Sequence, residues 1–269
     1  LSKFAKKHNI PVTSTVMGIG CMTKDDPYYI SAVGALGEGS SNSLSKDTDL
    51  ALAIGTKLAD FTTGSWANFE NPNFKLVSVN TARYDTTKHL ATPVISDAKV
   101  GLQKISEALG DWKAPDDWYK RAIKEKNEWD AYVEKQSGPT NQEEPSYAHA
   151  VGAVYRNSDP SDIVVTAAGG LVGEVVQVWK PKQLNTFETE WGFSCMGYEI
   201  SGALGIKMAK PDQDVVVFVG DGSYLLNNTD IYSSVIYDQK LIIIVCDNGG
   251  HMVINRLQLA KGGKEYICN

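Results

Sequence analysis

Two apolar stretches in the C-terminal half of the sequence end in short polar turns that contain glycine. Residues 215–219 are followed by the sequence GDGS, and residues 241–246 are followed by DNGG. The first turn offers the carboxylate of Asp221 and the second offers the amide oxygen of Asn248. Both are hard oxygen donors, which suit Mg²⁺ or Ca²⁺ better than a soft metal. A site with few protein ligands favours Mg²⁺, which keeps water and binds a diphosphate.

The two turns can act together only if the strands before them lie side by side. Both stretches are rich in β-branched residues, as buried parallel strands are. Neighbouring parallel strands deliver their turns to one carboxyl edge, where open α/β sheets bind ligands. The N–H groups of Gly222 and Ser223 would add donors for phosphate oxygens. On these residues alone a second explanation stays open, because Asp-Gly and Asn-Gly are also common in turns that bind nothing.

Strands and helices alternate in two regions of the chain, which predicts two α/β domains with mainly parallel sheets flanked by helices. We place the first domain at residues 1–110 and the second at residues 146–269. Residues 111–145 are predicted to form a helical linker. Within it, residues 118–135 have the pattern of an amphipathic helix, and residues 137–145 are polar and rich in turn formers.

The alternation depends on short apolar runs for strands and on three- to four-residue apolar spacing for helices. The predicted strands are at residues 10–16, 49–54, 75–79, 163–166, 215–219 and 241–246. The predicted helices outside the linker are at residues 1–9, 97–109, 149–156, 197–209 and 229–237.

Composition excludes several classes of protein. Of the 269 residues 42% are hydrophobic and 22% are charged, which is typical of a globular domain. The net charge of −6 argues against a nucleic-acid surface, and no apolar run approaches the ~20 residues of a membrane helix. The four cysteines form no CxxC pair and the four histidines form no HExxH, so neither a disulfide framework nor a zinc site is expected. We expect a cytoplasmic protein.

Other catalytic and nucleotide-binding motifs fit less well. The sequence GALGEG at residues 34–39 has a different order of glycines from GxGxxG, and GxxxxGK[ST] does not occur. Residues 192–197 miss the GxSxG pattern of a serine hydrolase by one residue and do not directly follow a strand. A dinucleotide site, a P-loop and a serine nucleophile are therefore disfavoured.

The GDG at residues 220–222, a spacer and Asn248 at the end of an apolar strand together resemble the signature of thiamine diphosphate (ThDP)-dependent enzymes. This resemblance implies that Asp221, the Asn248 side chain and the Gly250 carbonyl bind Mg²⁺. The sequence departs from the signature at the first Asn of the closing pair, which is Asp247 here, whereas the metal-bound position is the second. Leu226 matches the apolar residue that props the cofactor in a bent form, although a core role for it stays open.

The resemblance extends to further segments of the chain. Gly169 and Gly170 lie where the family has a diphosphate-contacting loop, and Cys195 and Met196 lie where main-chain carbonyls meet the aminopyrimidine. Residues 34–64 resemble the middle domain of the acetolactate synthase and decarboxylase branch. The sequences AAGGLVGE and GFSCMGYEISGALGIKMA are most similar to the trihydroxycyclohexane-1,2-dione hydrolases of myo-inositol catabolism, the ring-opening branch of the family.

The resemblance implies ThDP and Mg²⁺ as cofactors, a small cyclic 1,2-diketone as substrate, hydrolysis of a C–C bond, and a homodimer or homotetramer. It also implies an activating glutamate from a pyrimidine-binding domain, donated across a dimer interface. No stretch of this sequence resembles that domain, so we expect a fragment without the catalytic glutamate. Two alternatives stay open: an acetolactate synthase-like enzyme that acts on 2-keto acids, and a non-catalytic cofactor-binding fragment.

Overall fold

The long helix Asp116–Ser137 contains the boundary between two compact units of the chain. A computed structural model describes residues 1–264. One unit comprises Leu1–Gly18 and Met22–Tyr132, and the other comprises Ile19–Cys21 and the chain from Val133 onward. The helix predicted over residues 118–135 is thus present with wider bounds, and residues 138–145 contain neither helix nor strand.

The first unit contains a three-stranded parallel sheet and a separate parallel strand pair. Its strands are β1 (Val12–Ser14), β2 (Tyr29–Ala32), β3 (Leu50–Ile54), β4 (Lys75–Asn80) and β5 (Thr92–Ile95). Its helices, the last of which crosses the boundary, are α1 (Ser2–His8), α2 (Gly39–Asp47), α3 (Asp60–Thr63), α4 (Arg83–Thr87), α5 (Ala98–Leu109) and α6 (Asp116–Ser137). β1 pairs with β2, and the sheet has the order β3-β4-β5.

Two helices of this unit begin at acidic residues that favour a helix N-terminus. Asp97 precedes α5, and its carboxylate accepts hydrogen bonds from two amide N–H groups of the first turn at 2.9 and 3.1 Å. α6 has two aspartates in its first turn, which the helix dipole favours. Its buried face packs through Ala122 against Ile30 and Leu44.

The second unit contains a four-stranded parallel sheet of order β7-β6-β8-β9. Its strands are β6 (Ile163–Thr166), β7 (Phe187–Thr189), β8 (Val215–Gly220) and β9 (Ile242–Cys246). Its helices are α7 (Tyr147–Arg156), α8 (Gly170–Val178), α9 (Tyr198–Ala209), α10 (Asp221–Leu226), α11 (Asp230–Ile236) and α12 (Met252–Ala260). One layer of the core of this unit lies between the sheet and α9, where Ile200 and Ala203 pack against Val165, Val217 and Val219.

Every strand pairing in residues 1–264 is parallel. The prediction of an α/β fold with parallel sheets flanked by helices is therefore confirmed. None of the helices in this range is both long enough and apolar enough to cross a membrane.

Candidate functional site

The two turns that could bind a metal leave the sheet side by side. β8 and β9 pair in parallel from Val216 opposite Ile242 to Gly220 opposite Cys246, where both strands end. The sequence GDGS therefore leaves the same carboxyl edge as DNGG. The prediction that parallel strands bring these turns together is confirmed.

Two more segments reach the same edge of the sheet. β6 lies between β7 and β8, with Val165 paired with Val217. The chain runs from β6 to β7 on one side and then crosses through α9 to β8 on the other, so the direction of strand order reverses between β6 and β8. Open α/β sheets bind ligands outside such a reversal point. Residues 167–170 and 190–197, which follow β6 and β7, therefore join the two turns there.

Asp221 is hydrogen-bonded to the turn DNGG, which follows β9. The Gly250 N–H donates to Oδ2 of Asp221 at 2.6 Å. Gly249 and Gly250 have φ values of 79° and 134°, a region that favours glycine. The Gly250 carbonyl accepts from the Met252 N–H at 2.9 Å and, like any carbonyl, has a second lone pair. The residues of two of the three predicted metal ligands are thus hydrogen-bonded to each other, through the Asp221 carboxylate and the Gly250 N–H.

Asn248, the third predicted ligand, lies in the same turn and is oriented by a neighbouring helix. Its amide nitrogen donates to the hydroxyl of Tyr147, the first residue of α7. Burial raises the pKa of Tyr147, and the bond from Asn248 opposes that effect. Asp247 accepts the Gly249 N–H at 2.9 Å, which closes the turn. With its nitrogen engaged by Tyr147, Asn248 would meet a cation through its oxygen.

The three predicted ligands supply one carboxylate and two neutral oxygens, a donor set that suits Mg²⁺ and a diphosphate. Within residues 1–264 no group of three or more His, Cys, Asp or Glu residues is placed to hold a metal ion. The predicted set is a different kind of site, because only one of its members belongs to those residue types.

α10, which directly follows β8, carries Gly222, Ser223 and Leu226. A Cβ atom on Gly222 would lie 2.5 Å from a ring carbon of His251, so only glycine fits without displacing that ring. Ser223 is buried, whereas Leu226 is 65% exposed. Leu226 therefore does not pack into the core of this unit in this structure.

The loop after β6 has a backbone that only glycine adopts easily. Gly169 precedes α8 with φ 80° and ψ −168°, and Gly170 is the first residue of that helix. This conformation brings the main chain of both predicted diphosphate contacts to the sheet edge without side chains.

Residues 190–197, after β7, are held by a carboxylate of their own. Glu190 accepts the Phe193 N–H at 3.0 Å and the Cys195 N–H at 2.7 Å, and these bonds hold the pKa of Glu190 below its usual value. Cys195 is exposed and Met196 is 36% exposed. The loop ends at Gly197, which has φ 91° and caps α9.

No motif predicts Glu199, although it lies in the middle of this edge. The residue is 1% exposed, and its carboxylate accepts the Gly197 N–H at 2.8 Å and the Ala168 N–H at 3.3 Å. The Ser223 side chain is hydrogen-bonded to it as well. Burial raises the pKa of Glu199, and these bonds oppose the rise. The sequence feature that could have identified Glu199 is a single acidic residue in the otherwise uncharged stretch at the start of α9.

Two family profiles match the chain, and both describe domains of thiamine pyrophosphate enzymes; thiamine pyrophosphate is another name for ThDP. Residues 1–105 match the central domain, and residues 167–269 match the C-terminal TPP-binding domain. Together the profiles cover most of the chain. The chain therefore belongs to the thiamine pyrophosphate enzyme family, as the signature around Asp221 predicts.

Similar curated proteins carry one particular name within that family. The chain is 34% identical to the 3D-(3,5/4)-trihydroxycyclohexane-1,2-dione hydrolase of Geobacillus thermodenitrificans, over 98% of the chain and 44% of that protein. It is 32% identical to the protein of the same name from Lacticaseibacillus casei, over 99% of the chain and 45% of that protein. The protein of the same name from Clostridium tetani is 34% identical, over 97% of the chain and 44% of that protein. The chain thus spans less than half the length of these relatives.

Proposed function

We propose that the second unit holds the diphosphate end of ThDP through Mg²⁺. Asp221, the side chain of Asn248 and the carbonyl of Gly250 would bind the ion. The observation that carries this proposal is the parallel pairing of β8 and β9, with the Asp221 carboxylate 2.6 Å from the Gly250 nitrogen. A carboxylate and two neutral oxygens leave positions for water and for phosphate oxygens.

The remaining predicted residues would contact the cofactor around that ion. Gly169 and Gly170 would let the main chain approach the diphosphate. The N–H groups of Gly222 and Ser223 would donate to phosphate oxygens. Leu226 is exposed enough to support the cofactor in its bent form.

The loop after β7 would meet the other end of the cofactor. We assign the main chain at Cys195 and Met196 to the aminopyrimidine. Glu190 supports this assignment, because it accepts N–H groups of the same loop and so fixes the direction in which the peptide units point.

We propose that the longer protein containing this chain hydrolyses a C–C bond of a cyclic 1,2-diketone, the ring opening of trihydroxycyclohexane-1,2-dione in myo-inositol degradation. The name shared by the similar proteins supports this substrate. When bound, ThDP supplies a carbanion that adds to a carbonyl and a ring that accepts electrons from C–C cleavage. The residues of this chain would hold the diphosphate and exclude water.

We further propose that the longer protein is a cytoplasmic homodimer or homotetramer, with its activating glutamate supplied by a pyrimidine-binding domain across the interface. The domain bounds are proposed as 1–110 for the middle domain, 111–145 for the linker and 146–269 for the diphosphate-binding domain.

An activity comparison tests the reaction. The longer protein, supplied with ThDP and Mg²⁺, is expected to open the cyclic diketone and to leave pyruvate unreacted. Carboligation of pyruvate without diketone turnover would favour the acetolactate synthase-like alternative. The 269-residue chain assayed alone is expected to turn over neither compound, and ring opening by it would contradict the proposed need for a second domain.

A further inference from the structure

Glu199 is hydrogen-bonded to three chain segments, each of which follows a different strand. Its carboxylate accepts the N–H of Ala168, which follows β6, and the N–H of Gly197, which follows β7. The side chain of Ser223, which follows β8, bonds to the same group. These are the segments that carry the proposed cofactor contacts, and they meet where the strand order reverses.

The geometry gives the carboxylate a role that a neutral side chain of the same size cannot fill. The Ala168 N–H bonds to Oε1 and the Gly197 N–H bonds to Oε2. Both partners are N–H donors, so both side-chain atoms must be acceptors. Ala168 and Ser223 are buried with Glu199, and a buried donor without an acceptor is unfavourable.

We propose that Glu199 is a positioning residue that sets the spacing of the three cofactor-contacting segments before the cofactor binds. The inference rests on the proposed function for what those segments contact. The spacing itself is a property of the cofactor-free chain. Glu199 acts through Ala168, Gly197 and Ser223 and does not touch the reacting atoms.

Lys207 provides a matched control on the same helix. It is also buried, at 9% exposure, and its ammonium group donates to the carbonyls of Pro211 and Gln213 at 2.9 and 2.8 Å. It lies near the opposite end of α9, where it supports the chain that leads into β8. Replacing either side chain removes a buried charge from α9, but only Glu199 bonds the segments at the carboxyl edge.

Backbone hydrogen exchange in the 269-residue chain tests the positioning role without cofactor. In Glu199→Gln one side-chain oxygen becomes an NH₂ donor, so either orientation of the amide leaves one of the two N–H groups without an acceptor. We expect the Ala168 or Gly197 amide to exchange at least about tenfold faster than in the wild type. In Lys207→Met both amides should exchange at the wild-type rate. Unchanged protection in Glu199→Gln, or equal loss in both variants, would overturn the proposal.

Glu199→Asp keeps the test valid if Glu199→Gln does not fold. The shorter side chain retains the charge and can still reach Gly197 in its own helical turn. It falls short of Ala168, so only the Ala168 amide should lose protection. An Ala168 amide that stays protected in this variant would contradict the proposal.

ThDP titration of the longer protein in Mg²⁺ separates this inference from the proposed function. We expect Glu199→Gln to weaken ThDP binding at least about tenfold, and Lys207→Met to change it less than about threefold. If the wild-type protein bound no ThDP, the proposed function would fail and the exchange result would still decide the role of Glu199. If the wild type bound and Glu199→Gln bound equally well, the positioning role alone would fail.

Discussion

Among single residues, Leu225 and Leu226 at the end of α10 allow a direct comparison. Leu226 is a proposed cofactor contact, and Leu225 is a neighbouring surface residue without that role. Leu225 and Leu226 are 74% and 65% exposed, so replacing either by alanine removes little buried area. Leu226→Ala should weaken ThDP binding by the longer protein about tenfold and lower its activity, because the cofactor loses its support. Leu225→Ala should change neither quantity, and both variants should keep wild-type stability within about 0.5 kcal/mol. Equal ThDP affinities in the two variants would contradict the role of Leu226.

The buried thiol of Cys246 should make the free energy of unfolding depend on pH in the alkaline range. It is buried at the end of β9, and burial raises its pKa to about 11. The folded chain thus keeps the thiol proton, whereas the unfolded chain releases it above its ordinary pKa of about 8.5. Stability should therefore fall as pH rises from about 9 to about 11, by on the order of 2 kcal/mol from this group. Urea unfolding at pH 8 and pH 11 measures the fall.

Two cysteine variants isolate this contribution. Cys246→Ala should show a smaller alkaline fall than the wild type, even though it starts less stable because of lost packing. Cys21→Ala, at an exposed position, should retain the whole fall. If the stability of the wild type and of Cys246→Ala depended on pH in the same way, burial would not raise the pKa of this thiol.

The residues of the site differ in how visible they are in the sequence. Asp221, Asn248 and Gly250 lie in two strand-ending turns, and their resemblance to the family signature predicts them as metal ligands. The bond from Asn248 to Tyr147 joins residues far apart in the chain, and so does the bond from Ala168 to Glu199. Such partners depend on how α7 and α9 pack, and no local pattern records that packing.

At the scale of elements, two glycines near α9 should respond in opposite ways to alanine. Gly197, which caps the helix, has φ 91°, and an added Cβ would lie 2.6 Å from Cβ of Asn227. Gly197→Ala should destabilise the chain by about 1–3 kcal/mol. Gly205 lies within the helix with open space around it, so Gly205→Ala should stabilise by up to about 1 kcal/mol. Thermal unfolding distinguishes them, and a Gly197→Ala variant as stable as the wild type would refute the strain.

Elements that are long or have a regular apolar pattern could be predicted from the sequence. Elements that are very short, or whose residues favour a different secondary structure, could not. β3, β6, β8 and the helix after Asp97 follow the expected pattern closely. β7 has three residues, too few for a recognisable alternation, and β1 is shorter than predicted. α8 is rich in valine, which favours strands locally, yet it forms a helix because most of its side chains are buried. Tertiary packing therefore outweighs local preference there.

The chain as a whole has an α/β fold with parallel sheets and belongs to the thiamine pyrophosphate enzyme family. Parallel sheets follow from alternating strands and helices, and both family profiles agree with the motif around Asp221. The chain covers 44% of the similar hydrolase from Geobacillus thermodenitrificans, so the substrate and the reaction of a longer protein are proposals. The turns of these 269 residues carry the motif of the proposed cofactor site, and no such motif marks a substrate pocket.

Asp221 is proposed to hold Mg²⁺ for the diphosphate of ThDP, and a neighbouring aspartate offers a matched comparison. Asp221 and Asp247 follow adjacent strands at the same sheet edge. Replacing either by asparagine removes one negative charge with almost no change in size. Asp247→Asn keeps an oxygen that can accept the Gly249 N–H, whereas Asp221→Asn removes the only carboxylate of the proposed ligand set.

Calorimetric titration of the longer protein with ThDP, with and without Mg²⁺, tests this claim most directly. In the wild type, binding should depend on Mg²⁺. Asp221→Asn should lose at least about a hundredfold in affinity in Mg²⁺, equivalent to about 2.7 kcal/mol, while Asp247→Asn should stay within about threefold of the wild type. An Asp221→Asn variant that keeps wild-type affinity and wild-type dependence on Mg²⁺ would contradict the account.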